Sequence, residues 1–472
     1  MKILLTGATG YIGKRLLPEL VADGHHVVCC VRDRNRFNPP PSILNQIEVV
    51  EIDFLKSGQD SPVPGDIEIA FYLMHSMSTA EDYSEIELKV AQNFQDLVEH
   101  TSLKQVIYLS GIVNEDTLST HLKSRKSVEV QLSRSPFHLT TLRAGIIIGS
   151  GSASFEIIRD LVEKLPVMIA PRWLNTRCQP VAISDVLKFL VRSINCRELF
   201  DQNYDIGGPD ILTYKEMLLG YAKVRGLRRY ILTVPVMTPR VSSYWLYFVT
   251  STSYKLAKAL VESMKVEVIC RNAKINNILN VNPITYRKSL EKTLTAIDNK
   301  LIISSWKDSL VSGRFDHNIS EFIEVPTFGC LRDVRSEKIR NVKKTKELIW
   351  RIGGESGWYY GDWLWEIRGL MDKMVGGVGL RRGRTHPENL APGDSLDFWR
   401  VLYSDRQEGR LLLFAEMKLP GEAWLEFKLD NGHLIQTATF RPKGILGRLY
   451  WYSVWIFHGF VFGGLIRKLT TS

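Results

Sequence analysis

Through the first 150 residues, short apolar runs alternate with amphipathic stretches. The runs at 3–6, 26–31, 47–52, 69–73, 106–110 and 140–148 read as strands buried on both faces. Helical periodicity fits between most of them, as at 83–99. Repeated βαβ units predict an α/β fold, a doubly wound parallel sheet with helices on both sides. An α/β extension follows to about residue 300, with helices expected at 184–194 and 214–223. A weakly patterned junction at 300–325 sets the expected domains at 1–300 and 320–472.

The pattern then changes. Four segments (396–403, 410–419, 423–429 and 434–441) read as strands, and the turns Leu419-Pro420-Gly421 and Asn431-Gly432 join them into an antiparallel meander. Eight of the eleven tryptophans fall here, among them Trp358, Trp365, Trp399 and Trp451. They line a hydrophobic pocket or fill a plain core. Residues 449–466 carry no formal charge and lie between Arg448 and Arg467-Lys468. As a helix they would span about 27 Å. Ser453, His458, Gly459, Gly463 and Gly464 dilute the run. The expectation is a helix packed on the sheet, with peripheral membrane contact through 446–468 as the alternative.

The N-terminal strand runs directly into Gly7-Ala8-Thr9-Gly10-Tyr11-Ile12-Gly13, and an apolar helix follows. Strand, glycine turn and helix come in the order a dinucleotide site requires. Gly7 permits the turn, Gly10 lets backbone approach a pyrophosphate, and Gly13 lets helix and strand pack closely. The second strand ends Val31-Arg32-Asp33. Arg32 stands near the place where an NAD site carries a carboxylate, and a guanidinium there pairs with a 2′-phosphate. The pattern favours NADP over NAD, although Asp33 remains available to a ribose. Asp53 suits an adenine-edge contact or a loop cap.

Composition narrows the partners. The 472 residues carry a net charge of +10, and the isoelectric point is about 9.1. The basic residues are dispersed and no nucleic-acid-binding motif appears, so nucleic acid is not expected. Six cysteines without metal or CxxC spacing point to a reducing compartment. The expected location is cytoplasmic, with membrane association as the alternative.

The chain resembles an extended or atypical short-chain dehydrogenase/reductase of the epimerase- and NmrA-like kind. The matching residues are the glycine turn, Asp53, Tyr72-Leu73-Met74-His75-Ser76, Tyr108-Leu109-Ser110-Gly111, Leu142-Arg143-Ala144-Gly145 and Gln179-Pro180-Val181. The resemblance covers roughly the first 300 residues. It implies cofactor contacts from Thr6, Gly7, Thr9, Gly10, Tyr11, Ile12, Gly13, Arg32, Asp53, Phe54, Leu73 and His75. The tail, with Trp358-Tyr359-Tyr360-Gly361-Asp362-Trp363 and Phe440-Arg441-Pro442, resembles domains of unknown function fused to such reductases. It also resembles a START-like helix-grip fold that binds a small hydrophobic substrate or lipid.

The family's reaction uses Ser, Tyr and Lys, with Tyr and Lys four residues apart on one helix face. Ser110 matches the serine. The Tyr-x-x-x-Lys pair is replaced by His121 and Arg125 at the same spacing. His121 is the candidate proton donor, or a helix cap. Arg125 is the candidate cofactor holder, or a solvated residue. The expected activity is NADP-dependent reduction of a hydrophobic carbonyl or enone. A non-catalytic NADP-binding sensor or assembly factor is the alternative.

Overall fold

The computed structural model describes residues 1–32, 34, 37, 39, 41–56, 62–74, 83–113, 120–234, 263–298, 325, 330–375, 377, 379, 389–442 and 444–471. The chain divides into two compact units, Met1–Thr250 with Tyr254–Val311, and Ser312–Ser472 with Ser251–Ser253.

The first unit is built on strands β1 (Lys2–Leu5), β2 (His26–Val31), β3 (Ile47–Glu51), β4 (Ile69–Tyr72), β5 (Gln105–Gly111), β6 (His138–Ala144) and β11 (Gln202–Ile206). They form one sheet in the order β11-β6-β5-β4-β1-β2-β3, and every pairing is parallel. Alternate residues feed two cores. Ile3, Leu5, Val27 and Ile69 pack on helices α1 (Gly13–Ala22) and α5 (Ile183–Arg192). Leu4, Val28, Tyr72 and Val106 pack on α2 (Tyr83–Val98) and α3 (Thr120–Leu132). Burial on both faces is why these strands read as apolar runs rather than as alternating ones. The strand order reverses between β1 and β4, which opens a crevice at their carboxyl ends.

Three short ribbons complete the unit. They pair β7 (Ile147–Ile148) with β10 (Val181–Ala182), β8 (Val167–Pro171) with β13 (Tyr230–Val234), and β9 (Arg177–Cys178) with β12 (Leu212–Thr213). Helices α4 (Ala153–Lys164), α6 (Tyr214–Val224) and α8 (Tyr286–Asp298) share a third core around Phe155, Met217, Tyr221 and Leu290. Between them in sequence lies the short α7 (Lys274–Ile278). The run at 140–148 is two strands, not one. It breaks at Gly145, where a Cβ would come within 2.8 Å of Val268 Cγ1.

The second unit is an antiparallel sheet of β14 (Leu331–Lys338), β15 (Ser395–Leu396), β16 (Trp399–Asp405), β17 (Arg410–Ala415), β18 (Gly421–Asp430) and β19 (His433–Pro442). Its order is β14-β19-β18-β17-β16-β15. The expected strand at 396–403 is interrupted at Asp397, whose φ is +54°. Helices α9 (Val342–Arg351), α10 (Asp362–Met374) and α11 (Gly444–Thr471) cover one face. Trp358, Trp365, Trp399 and Trp451 fill the core between helices and sheet. Among the described residues, no single helix is long and apolar enough to cross a membrane. The stretches Leu446–Trp455 and Phe457–Thr471 would pass together but are bent by 57°.

Candidate functional site

The crevice at the ends of β1 and β4 is formed by backbone held very close. Gly7 sits at φ +68°, and a Cβ on it would lie 2.8 Å from Leu73 O. Both facts demand glycine. Gly10 N donates to Gly7 O at 2.9 Å, and a Cβ on Gly13 would fall 2.2 Å from Gly7 O. The start of α1 has no side-chain cap and no acidic residue in its first turn. Its dipole and amide groups therefore favour an anion at this point. The turn fits a dinucleotide pyrophosphate in shape and in sign.

Thr6 is fully buried. Its hydroxyl donates to Phe71 O at 3.0 Å and accepts from Leu73 N at 3.2 Å, so the side chain stitches β1 to the end of β4. Thr9 and Gly10 are half-buried at the turn, and Ile12 packs against the core. Tyr11 turns inward, and burial pushes its phenol up to about 12. A Cβ on Gly149 would reach within 2.4 Å of the Tyr11 hydroxyl. The buried Arg15 lies 4.1 Å over the Tyr11 ring and donates to Tyr11 O and to Ser150 O.

Arg32 is exposed at the tip of β2 and makes no hydrogen bond to the described residues. Asp53 accepts from Leu55 N at 3.1 Å, which is the geometry of a loop cap. The Phe54 side chain belongs to the core, 6.2 Å from the Phe94 ring, so only its backbone is left to face a ligand. Leu73 forms the wall opposite Gly7. His75 lies outside the described residues, as does Asp33.

At the end of β5, the Ser110 hydroxyl is buried and has no hydrogen-bond partner among the described residues. It stands on the same strand face as Tyr108, two residues earlier. The Tyr108 hydroxyl donates to Arg125 O at 3.3 Å and lies 3.4 Å from Arg125 Nη1. Burial raises the Tyr108 phenol, and the nearby guanidinium opposes that rise. Arg125 also reaches Met74 O at 3.5 Å. It is half-buried. His121 lies in the first turn of α3, and its side chain is outside the described part. Glu129, further along α3, makes a two-pronged pair with Arg143 of β6, with the closer contact at 2.7 Å.

One residue beyond Ser110 an apolar cavity of about 230 Å³ begins. Gly111, Leu122, Ile157, Trp173, Met264 and Val268 are among its walls, and none of its lining residues is charged. Trp173 Nε1 is buried and has no partner among the described residues. Sequence reasoning missed this chamber. Its walls come from seven separate segments, spread from Gly111 to Val268, and no local pattern marks it.

Comparison with known proteins agrees with this geometry. Residues 7–157 match the NAD(P)H-binding family model, and residues 330–465 match a family described as a protein of unknown function, DUF2867. The N-terminal unit thus carries an NAD(P)H-binding match on a Rossmann-like parallel sheet. The chain is similar to the chloroplastic divinyl chlorophyllide a 8-vinyl-reductase of Arabidopsis thaliana, 22% identical over 311 residues, covering 62% of this chain and 73% of that protein. It is also similar to the enzyme of the same name from Cucumis sativus, 24% identical over 224 residues, with 44% and 52% covered. Among solved structures, a nucleoside-diphosphate-sugar epimerase from Staphylococcus aureus aligns with a TM-score of 0.49 and 15% identity, over 62% of this chain and all of that one. A UDP-glucuronic acid 4-epimerase from Bacillus cereus in complex with NAD aligns at 0.47 and 18%, with 63% and 97% covered.

Proposed function

We propose that this protein is an NADPH-dependent reductase of a hydrophobic carbonyl or enone. The observation that carries the reading is the uncharged, apolar cavity at the carboxyl ends of β5 and β6, beside Ser110. A sugar nucleotide calls for charged partners to its diphosphate and many polar ones to its hydroxyls, whereas this lining has no charged residue and is mostly apolar. The relatives named as reductases favour the same class of reaction.

When bound, the reduced nicotinamide supplies hydride. Ser110 is the group that polarises the substrate oxygen by donating a hydrogen bond, from a hydroxyl buried at the end of β5. His121, directly or through a water, returns the proton. Arg125 positions the cofactor edge while anchored on Tyr108 and Met74. Arg32 selects the 2′-phosphate. Trp173, Tyr214, Ser154 and Ser263 are the lining residues able to hydrogen-bond a ligand oxygen.

The test is consumption of NADPH with a panel of apolar enones and ketones, with the wild type and Ser110→Ala compared. Turnover lost in the variant, with NADPH affinity retained, supports the reading. The alternative, an NADP-binding sensor, gains support from Arg125, whose contacts stabilise the fold as they stand. It predicts unequal affinities for NADPH and NADP⁺, and no turnover with any substrate.

A further inference from the structure

We infer that the C-terminal unit docks on an anionic lipid surface through the outward faces of α10 and α11. On α10 the exposed residues Trp363, Ile367, Leu370, Met371 and Met374 fall at i, i+4, i+7, i+8 and i+11, a single stripe. The opposite face carries Trp365, Gly369 and Asp372, all buried. The usual arrangement of an amphipathic helix is thus doubled, since apolar side chains face both the core and solvent.

The same holds on α11. Its sheet-facing residues Phe462, Leu465, Ile466 and Leu469 are buried, while Leu446, Leu449, Tyr452, Phe457 and Phe460 are exposed. Leu446 is 73% exposed and Met374 66%. Arg368 Nη2 donates to the Tyr450 hydroxyl at 3.0 Å, and the Trp365 and Phe462 rings lie 6.1 Å apart. The two helices therefore run side by side, in opposite directions, on one face of the sheet. Both stripes look away from it. Scattered exposed apolar residues are ordinary, but two adjoining stripes of large ones mark a contact surface.

Charge and shape select the occupant. Helix α11 contains no carboxylate, and its only charges are Arg448, Arg467 and Lys468, all exposed. Exposed acids on α10 are Asp362 and Glu366, in its first turns. Trp363, Tyr452 and Trp455 are side chains that settle at the boundary between headgroups and acyl chains. The 57° bend leaves each half of α11 shorter than the roughly 20 residues a crossing requires, so the helix lies along the surface. Basic residues add attraction to anionic headgroups that a neutral bilayer does not provide.

The experiment is flotation of the full chain with vesicles of phosphatidylcholine, alone or mixed with phosphatidylglycerol. The expected result is binding to the mixed vesicles about tenfold tighter than to the neutral ones, weakened by high salt. Met371→Glu and Leu449→Glu should each lower it at least about tenfold. Their melting temperatures should stay at the wild-type value, because both side chains are solvent-facing. Vesicle binding that is absent in the folded wild type, or unchanged in both variants, overturns the inference. So does a wild-type dimer that Leu449→Glu dissociates and that never floats, which would assign the face to a second copy of this chain.

Discussion

Arg15, in the first turn of α1, donates from Nη2 to the carbonyl of Ser150 at 2.8 Å. This contact ties the glycine turn to the segment that leads into α4, and Ala153 and Ile157 of α4 line the apolar cavity. The turn and the chamber thus share one rigid joint. Arg15→Met should weaken NADPH binding and raise the substrate KM together. A charged hydrogen bond contributes about 1.5–3 kcal/mol, so titration calorimetry should read a cofactor affinity about ten to a hundred times lower. An affinity within twofold of wild type would show that the joint does not serve the cofactor.

Arg32 is exposed, and no described residue competes for it. Arg32→Ala should reduce the preference for NADPH over NADH about tenfold or more. Affinity for NADH should hardly change, because the glycine turn is untouched. Parallel weakening of both nucleotides would point to a structural role for the side chain.

In the proposed reaction Ser110 donates a hydrogen bond to the developing oxyanion, and Ser110→Ala removes that donor. Loss of such a donor lowers kcat about a hundred- to a thousandfold. Ser110→Ala should show that fall with NADPH affinity intact. Full turnover in the variant would place the proton chemistry elsewhere.

His458 gives the C-terminal unit a pH dependence. Its ring lies between Trp451 and Phe462. Burial lowers its pKa to about 4, although Asp333 pulls the other way. A histidine depressed in the folded state costs nothing above its unfolded value near 6.5. As pH falls below that value the unfolded chain takes up the proton and the folded one does not, so stability drops between about 6.5 and 4 and then levels. The whole effect is at most about 3 kcal/mol. Thermal melts of His458→Gln should be flatter over this window. An equal slope in wild type and variant would shift the cause to other groups.

Arg400 and Glu416 are fully buried in the second sheet and paired at 2.8 Å, and Arg400 Nη1 also donates to Gly393 O at 2.7 Å. Arg400→Leu leaves a buried carboxylate without its cation, at a cost of about 3–5 kcal/mol. The transition of the C-terminal unit should move down while NADPH binding survives. If cofactor binding is lost as well, the two units do not fold independently.

Much of the first sheet could be read from the sequence, because its strands are buried on both faces and stand out as apolar runs. β11 could not be. It begins Gln202-Asn203 at an exposed sheet edge and has the composition of a loop. β14 was missed for a similar reason, with Arg332, Asp333, Arg335 and Glu337 masking its alternation. The cradle of Gly7, Gly10 and Gly13 was legible, since only glycine tolerates that approach to Leu73 O and Gly7 O. The inward turn of Arg15 was not. Nothing local distinguishes Arg15 from an exposed basic residue until Ser150 arrives to meet it. The core placement of Phe54 was likewise set by a tertiary neighbour, Phe94, whereas the Asp53 loop cap is a local contact that the sequence offered.

The pairing of β14 with β19 imposes an order of events during synthesis. β14 leaves the ribosome roughly a hundred residues before its partner, and translation at about 5–20 residues per second separates them by about 5–20 s. Throughout that interval one edge of β14 has nothing to bond with, and the charged side chains along it protect it from other nascent chains. The second sheet closes only when the last strand and α11 are delivered. A ribosome stalled anywhere before His433 therefore leaves the tail open, with the Rossmann half already made.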